Sequence, residues 1–416
     1  MNAPVRDKVE VVSFGCRLNL VESEAMRRAA EEAGHGEAVL VNTCAVTAES
    51  VRQARQAIRR IARDNPDAKI IVSGCAAETE RARFAAMPEV SAIVGNAAKT
   101  DVETWRDLLR GKTHTLDIMR AKVARPIAVD AIEGHTRAFL AIQNGCDHRC
   151  TFCVIPYGRG PSRSVPAEIV VAQAQRLVAL GHKEIVLTGV DLTSWGGDLP
   201  GAPKLGYLVR ALLKAAPGLK RLRLSSLDCI EADEDLFVAL AQEERLTPHL
   251  HLSLQSGDDM ILKRMMRRHS RRDAVDFCAR VRKLRPDIVF GADLIAGFPT
   301  ETDDMADNTL RLIEDCGLTH LHVFPYSPRE KTPAARMPQV AADVRSARAK
   351  RLREAGERAL ERHLEAQIGR RVEVLAERGG VGRAHDFSLV ATPGVAPGAM
   401  IEGMVTARDG MKLRLG

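Results

Sequence analysis

Aromatic residues are scarce in this chain of 416 residues, where Phe, Trp and Tyr together make up 4%. That scarcity excludes recognition of a nucleic acid by long rows of stacked bases, and leaves Phe387 as one of few candidates for such a contact. Long apolar runs are missing too. No segment approaches the roughly 18 apolar residues of a membrane-spanning helix, and Met1–Glu10 lacks the basic stretch and apolar run of a secretory leader. The expected place is the cytoplasm, with no membrane partner. The cysteines number nine, and an odd count in a reducing compartment argues against a disulfide framework. Spaced cysteines there are metal ligands or catalytic thiols first.

What is present describes a globular chain, with 45% apolar and 28% charged residues, too long for one compact core. The formal charge of +7 favours a polyanionic partner such as RNA, although many basic enzymes bind none.

From Val9 to Arg110 short apolar runs alternate with helical patterns. Val9–Phe14, Ala38–Asn42 and Lys69–Ser73 read as strands, with helices over Val21–Ala33 and Ala48–Asn65. This alternation predicts a parallel α/β sheet, in which sites form beyond the carboxyl ends of the strands. Each strand runs into a cysteine: Cys16, Cys44 and Cys75. They lie 28 and 31 residues apart but at equivalent places in the repeat, so right-handed crossovers bring them to one edge. Any one alone reads as a small buried hydrophobe; the shared position makes them a candidate metal site.

After a linker around Asp117–Thr136, six strand patterns follow: Ala138–Gln143, Glu184–Val190, Arg221–Leu227, His249–Gln255, Ile288–Phe298 and Leu318–Tyr326. Six strand-helix units in about 190 residues predict an incomplete version of the eight-fold parallel barrel, with chemistry on the loops after the strands. Gly189, Ser226, Gln255 and Asp293 sit at those strand ends and are the candidate cofactor contacts. The basic run Lys263–Arg272 reads as a phosphate-facing patch or as a solvated helix face. The charged helix over 341–367 reads as a connector. Beyond it, Arg371–Leu375, Gly382–Val390, Ala399–Ala407 and Met411–Leu415 predict a small β-barrel of a kind that often binds nucleic acid. The resulting division is 1–115, a linker 116–136, 137–340, 341–367 and 368–416.

Within the loop after the first barrel strand, Cys146, Cys150 and Cys153 have the spacing Cys-x-x-x-Cys-x-x-Cys. Three thiolates in one compact loop suit a four-iron cubane and leave one iron open to chelate S-adenosylmethionine. Tetrahedral zinc is the competing reading, since His148 inside the loop offers a fourth ligand.

Taken together, these motifs resemble the radical S-adenosylmethionine superfamily and, over nearly the whole chain, its methylthiotransferase branch. The resemblance rests on Ser13-Phe14-Gly15-Cys16-Arg17-Leu18-Asn19, Val41-Asn42-Thr43-Cys44, Gly74-Cys75, the loop Gly145–Cys153 with Ile155-Pro156-Tyr157 and Arg159-Gly160, Leu254–Gly257 and Gly297–Thr302. It implies two four-iron clusters, an auxiliary one on Cys16, Cys44 and Cys75 and an S-adenosylmethionine-binding one on Cys146, Cys150 and Cys153. It implies a radical that abstracts hydrogen from an unreactive carbon, which then takes up methylthio. The terminal barrel looks like the family's RNA-binding TRAM domain. The branch acting on isopentenylated adenosine typically has Cys-Gln-Met-Asn, and the branch acting on a ribosomal-protein aspartate has Cys-Pro-Lys-Asn. Cys16-Arg17-Leu18-Asn19, with Phe324–Ser327, Arg329 and Thr332-Pro333, is similar to a third. That branch methylthiolates carbon 2 of N6-threonylcarbamoyladenosine at tRNA position 37. The implied partners are the tRNA anticodon loop and an electron donor such as flavodoxin or ferredoxin, for a monomeric enzyme. The other two substrates, and a zinc-bearing RNA-binding protein without catalysis, are the alternatives.

Overall fold

The computed structural model describes residues 9–112 and 117–416. Most of the expected leaderless start Met1–Glu10, and the junction at 115/116, lie outside the described residues.

The first unit runs β1 (Glu10–Ser13), α1 (Arg17–Glu32), β2 (Ala38–Thr43), α2 (Ala48–Asp64), β3 (Lys69–Gly74), the short helices α3 (Cys75–Thr79) and α4 (Arg81–Ala85), β4 (Ala92–Ile93) and α5 (Val102–Leu109). The four strands form a parallel sheet in the order β1-β2-β3-β4. Period-2 alternation gives the sheet two apolar faces: Leu40 and Ile71 pack with Met26, Ala30 and Trp105 of α1 and α5, and Val41 and Val72 with Val51 and Ile58 of α2. Helix α1 begins four residues before the expected Val21. Gly15 has φ +92°, which turns the chain so sharply that Cys16 is already the N-cap.

Residues between this unit and the next hold one short 3-10 turn, Ile118–Arg120. They are more than a linker. Ile127 and Val129 are buried against Leu18 and Val21 of α1 and against Phe139 and Val186.

The second unit comprises β5 (Ala138–Ala141), β6 (Gln143–Asn144), α6 (Ile155–Arg159), β7 (Arg163–Ser164), α7 (Ala167–Ala179), β8 (Glu184–Thr188), α8 (Leu205–Ala215), β9 (Arg221–Leu224), β10 (Ser226–Leu227), α9 (Glu234–Gln242), β11 (His249–Gln255), α10 (Asp259–Arg264), α11 (Arg271–Leu284), β12 (Val289–Ala296), α12 (Asp303–Asp315) and β13 (Leu318–Pro325). Two parallel sheets, β5-β8-β9 and β10-β11-β12-β13, follow one another around an incomplete six-position barrel, β9 and β10 being one strand interrupted at Ser225. The antiparallel pair β6-β7 brackets the loop carrying Cys146, Cys150 and Cys153. Leu222, Leu224, Leu250, Leu252 and Leu294 face the helices and form the largest core, each contributing about 1.5–3 kcal/mol of burial. Their alternates Arg223, His249, His251, Asp293, His320 and His322 face inward. The barrel interior is therefore a polar chamber.

Helix α13 (Ala342–Glu365) is more than the expected connector, because Ala349, Leu352 and Ala359 join the core and Gly356 lets it pack directly on Leu321 of β13. The chain ends in a closed barrel of β14 (Arg371–Glu377), β15 (Val381–Ala384), β16 (Leu389–Ala391), β17 (Met400–Asp409) and β18 (Lys412–Leu415), ordered β14-β15-β16-β18-β17. The single strand expected over Gly382–Val390 is two strands. Between them the Asp386 carboxylate accepts the Ser388 backbone N–H at 2.9 Å, closing a turn in which Phe387 has φ +75°.

Candidate active site

Parallel order puts the carboxyl ends of β1, β2 and β3 side by side, and with them Cys16, Cys44 and Cys75. Asn19 ties the first two ends together, donating from Nδ2 to the carbonyls of Phe14 at 2.8 Å and Thr43 at 3.0 Å. Gly15 is obligatory by contact as well as by φ: a Cβ there would lie 2.7 Å from Cβ and 2.8 Å from Sγ of Cys44. Cys44 and Cys75 are buried and Cys16 is exposed, at the N-terminus of α1. Burial pushes the Cys44 thiol up to about 11, and the neighbouring sulfurs of Cys75 and Cys16 add to the shift.

A buried ionic network stands behind this triad. Arg159 of α6 donates from Nε to Cys75 Sγ at 3.1 Å, from Nη1 and Nη2 to the two Glu22 oxygens at 2.9 Å each, and to Asn19 Oδ1 at 2.5 Å. Lys99 Nζ meets Glu22 at 2.7 Å and Asn42 at 3.2 Å. Burial alone would push the Glu22 carboxyl up, but Arg159 and Lys99 overcome it and hold it at about 2. Sequence reasoning missed Glu22 and Lys99. The available signal was Glu22 itself, four residues after Leu18 on the apolar stripe of α1.

The second triad is held from the barrel side. Gly145 has φ +77°, and a Cβ there would meet the Pro161 carbonyl oxygen at 1.9 Å, so the loop entrance needs glycine. Burial pushes the Cys146 and Cys153 thiols up, Cys153 to about 12. Arg267 lies 3.7 Å from Cys150 Sγ. His148 lies beside Cys146, and with Asp191 the two bring their ligand atoms within 4.8 Å of one another; its Nε2 sits 2.9 Å from Asp191 and 3.6 Å from Glu231, and these carboxylates raise it to about 10. The two triads are neighbours, since α6, which follows Cys153, packs on α3 with Gly158 against Cys75 and carries Arg159 to the Cys75 sulfur.

A cavity of about 1080 Å³ opens between the two units, walled by Cys16 and Cys44 on one side and by the barrel interior on the other. Of the four predicted cofactor contacts, Gly189, Ser226 and Asp293 line it, and Gln255, with φ +68° at the end of β11, does not. Gly189 is held by Gln143, whose Oε1 accepts the Val190 and Asp191 N–H groups at 2.9 Å each. Asp293 Oδ1 lies 2.9 Å from His251 and 3.1 Å from His322, a clamp that the sequence did not reveal.

Two expectations need correction. Phe387 is no open stacking platform, because it sits on the cavity floor with one face stacked on His249 at 4.8 Å and Arg383 4.4 Å from its centroid. Most of the run Lys263–Arg272 is no free phosphate stripe either. Arg267 is buried on Asp228 at 2.9 Å, Arg268 meets Glu231 at 2.5 Å, Arg271 pairs with Asp315 and His269 is buried. The positive charge there neutralises internal acids.

The chain matches two family models, the Radical SAM superfamily over residues 140–313 and the uncharacterized protein family UPF0004 over residues 8–95. It is 49% identical to the threonylcarbamoyladenosine tRNA methylthiotransferase MtaB of Rickettsia prowazekii, over 91% of this chain and 90% of that one. It is 34% identical to the tRNA-2-methylthio-N(6)-dimethylallyladenosine synthase of Cereibacter sphaeroides, over 96% of each. Among solved structures it resembles in fold the radical S-adenosylmethionine methyltransferase TsrM from Kitasatospora setae, with a TM-score of 0.56 and 17% identity over 79% of this chain and 76% of that one.

Proposed function

The chain belongs to the threonylcarbamoyladenosine tRNA methylthiotransferases, which are radical S-adenosylmethionine enzymes, and on that premise we propose that it places a methylthio group on carbon 2 of N6-threonylcarbamoyladenosine at position 37 of tRNA, beside the anticodon. The observation that carries the reading is the pair of cysteine triads, one at the ends of β1, β2 and β3 and one in the loop before α6, that meet where α6 packs on α3. Each offers three cysteine sulfurs, which fits a cubane with one open iron, while His148, beside Cys146, is engaged by Asp191 and Glu231.

In this reading Cys146, Cys150 and Cys153 hold the cluster that binds S-adenosylmethionine, and Cys16, Cys44 and Cys75 hold a second four-iron cluster. When bound, these groups supply reductive cleavage of S-adenosylmethionine and a transferable sulfur. The chain's own residues do the rest. Arg159 sets a positive charge against the sulfur of Cys75. Arg267 does the same for Cys150. Gly189, Ser226 and Asp293 form the wall for S-adenosylmethionine, with Gln255 at the neighbouring strand end. The cavity shields the reacting carbon from water. Electrons come from a small carrier such as flavodoxin or ferredoxin, and the enzyme acts as a monomer in the cytoplasm.

The test is nucleoside mass spectrometry of tRNA from a strain lacking the gene. Loss of 2-methylthio-N6-threonylcarbamoyladenosine, restored by the wild-type gene and not by Cys75→Ser or Cys150→Ser, is the expected result. Unchanged content of that nucleoside, or loss of the methylthio-isopentenyl nucleoside in its place, would refute the assignment.

A further inference from the structure

The floor of the cavity carries more positive charge than the protein uses. Arg17 follows Cys16 directly and lines the cavity, its guanidinium 5.9 Å from the centroid of the Phe387 ring. Arg223 lies 5.1 Å, Arg137 5.7 Å and Arg383 4.4 Å from the same centroid. The acids nearby are engaged: Glu184 by Arg223 at 2.9 Å and Arg221 at 3.6 Å, Glu377 by Arg137 at 2.7 Å. The other carboxylates on the cavity wall are engaged too, Asp293 by His251 and His322, and Glu49 by Arg52. Among the described residues Arg17 makes no hydrogen bond or ion pair. A second, independent feature lies beside it. His249 is 4% exposed, lines the cavity, and has neither ring nitrogen in a hydrogen bond.

A partly buried guanidinium among three others and an imidazole without partners are both costly unless something answers them. An anion that offers hydrogen-bond acceptors answers both. A carboxylate suits best, because it takes a guanidinium bidentately. We propose that Arg17 receives the carboxylate of the threonylcarbamoyl arm, with His249 as the second donor on the cavity floor, and so selects the acidic nucleoside. The inference rests on the function proposed above and deepens it. An apolar isopentenyl arm in the same place would leave Arg17 unpaired in a desolvated site, so the same residue also rejects the wrong base.

The test uses the reconstituted full-length enzyme and two tRNAs: one carrying N6-threonylcarbamoyladenosine, and the same tRNA with the threonine carboxylate converted to the carboxamide. For the wild type, the amide should lower kcat/KM about 100-fold. Arg17→Gln should lose about 100-fold on the acid, mainly through KM, and discriminate acid from amide by less than about 3-fold; Arg17→Lys should fall between. Iron content equal to wild type shows that the variant is assembled. An Arg17→Gln enzyme that discriminates as well as wild type, or stays within about 3-fold of it on the acid, overturns the assignment alone. If that variant fails to take up iron, the wild-type comparison decides, and an acid-to-amide ratio under about 3 overturns it. No product from wild type on the acid tRNA overturns the reading of function, and the role of Arg17 with it.

Discussion

Replacing Arg159 with Met should uncouple the auxiliary triad from the rest of the molecule. Arg159 and Glu22 are 2% and 3% exposed, and no water can replace the lost guanidinium. Glu22 would keep Lys99 at 2.7 Å and Asn144 at 3.0 Å but lose two charged hydrogen bonds, and Cys75 would lose its only cationic donor among the described residues. Two routes give the size. Removing one member of a buried ion pair costs about 3–5 kcal/mol. A carboxyl held at about 2 in place of 4.5 by Arg159 and Lys99 together is worth about 3.5 kcal/mol at about 1.4 kcal/mol per pH unit, the larger share from Arg159. The assay is denaturant unfolding of the cluster-free chain, where metal binding adds nothing. The expected loss is about 3 kcal/mol, with a coupling to Glu22→Gln of about 2 kcal/mol in a double-mutant cycle. The sign of the pH dependence follows. Because the Glu22 carboxyl is depressed on folding, its contribution is present above 4.5 and lost as pH falls from 4.5 toward 2. The Arg159→Met protein, in which Lys99 alone still pairs with Glu22, should show a smaller step. A variant within about 1 kcal/mol of wild type, with the acid step intact, would refute the reasoning.

Three further outcomes follow from the same geometry. Cys75→Ser and Cys150→Ser should each carry about four irons where wild type carries about eight, and only Cys150→Ser should abolish cleavage of S-adenosylmethionine; iron analysis and detection of 5'-deoxyadenosine check this. Gly15→Ala forces a Cβ onto Cys44 at positive φ and should lose the auxiliary iron while keeping the other cluster, read by the same analysis. In the cluster-free chain the Cys44 thiol is raised from 9.0 to about 11, so its contribution to stability is full below 9.0 and lost as pH rises through 11. Loaded protein, whose sulfurs are already deprotonated by metal, should lack that alkaline step in a melting series.

Much of this was legible because it depends on short periods. Alternating apolar residues mark the six barrel strands, and a cysteine after each of β1, β2 and β3 marks an edge before any fold is known. The polar chamber was less legible. His251, Asp293 and His322 sit at ordinary inward positions of three different strands, and only the closing of the sheet brings them together. Arg159 and Glu22 are 137 residues apart, so no local pattern links them. Phe387 was misread for a physical reason. The Asx turn at Asp386 splits what reads as one strand and sets the ring against His249, so an aromatic of the terminal barrel serves the floor of the cavity. The arginines of Lys263–Arg272 look free in sequence because their acids come from elsewhere in the chain, Asp228 and Glu231 from the segment after β10 and Asp315 from the end of α12.

The central claim, that two neighbouring clusters serve methylthiolation of the threonylcarbamoyl nucleoside, is tested most directly with the purified, reconstituted enzyme. It is given S-adenosylmethionine, reductant and an equimolar mixture of two tRNAs, one carrying N6-threonylcarbamoyladenosine and the other N6-isopentenyladenosine. Mass spectrometry of the digested tRNA should find methylthio on the first nucleoside and none on the second. Methylthio on the isopentenyl nucleoside, or on neither, would contradict the account.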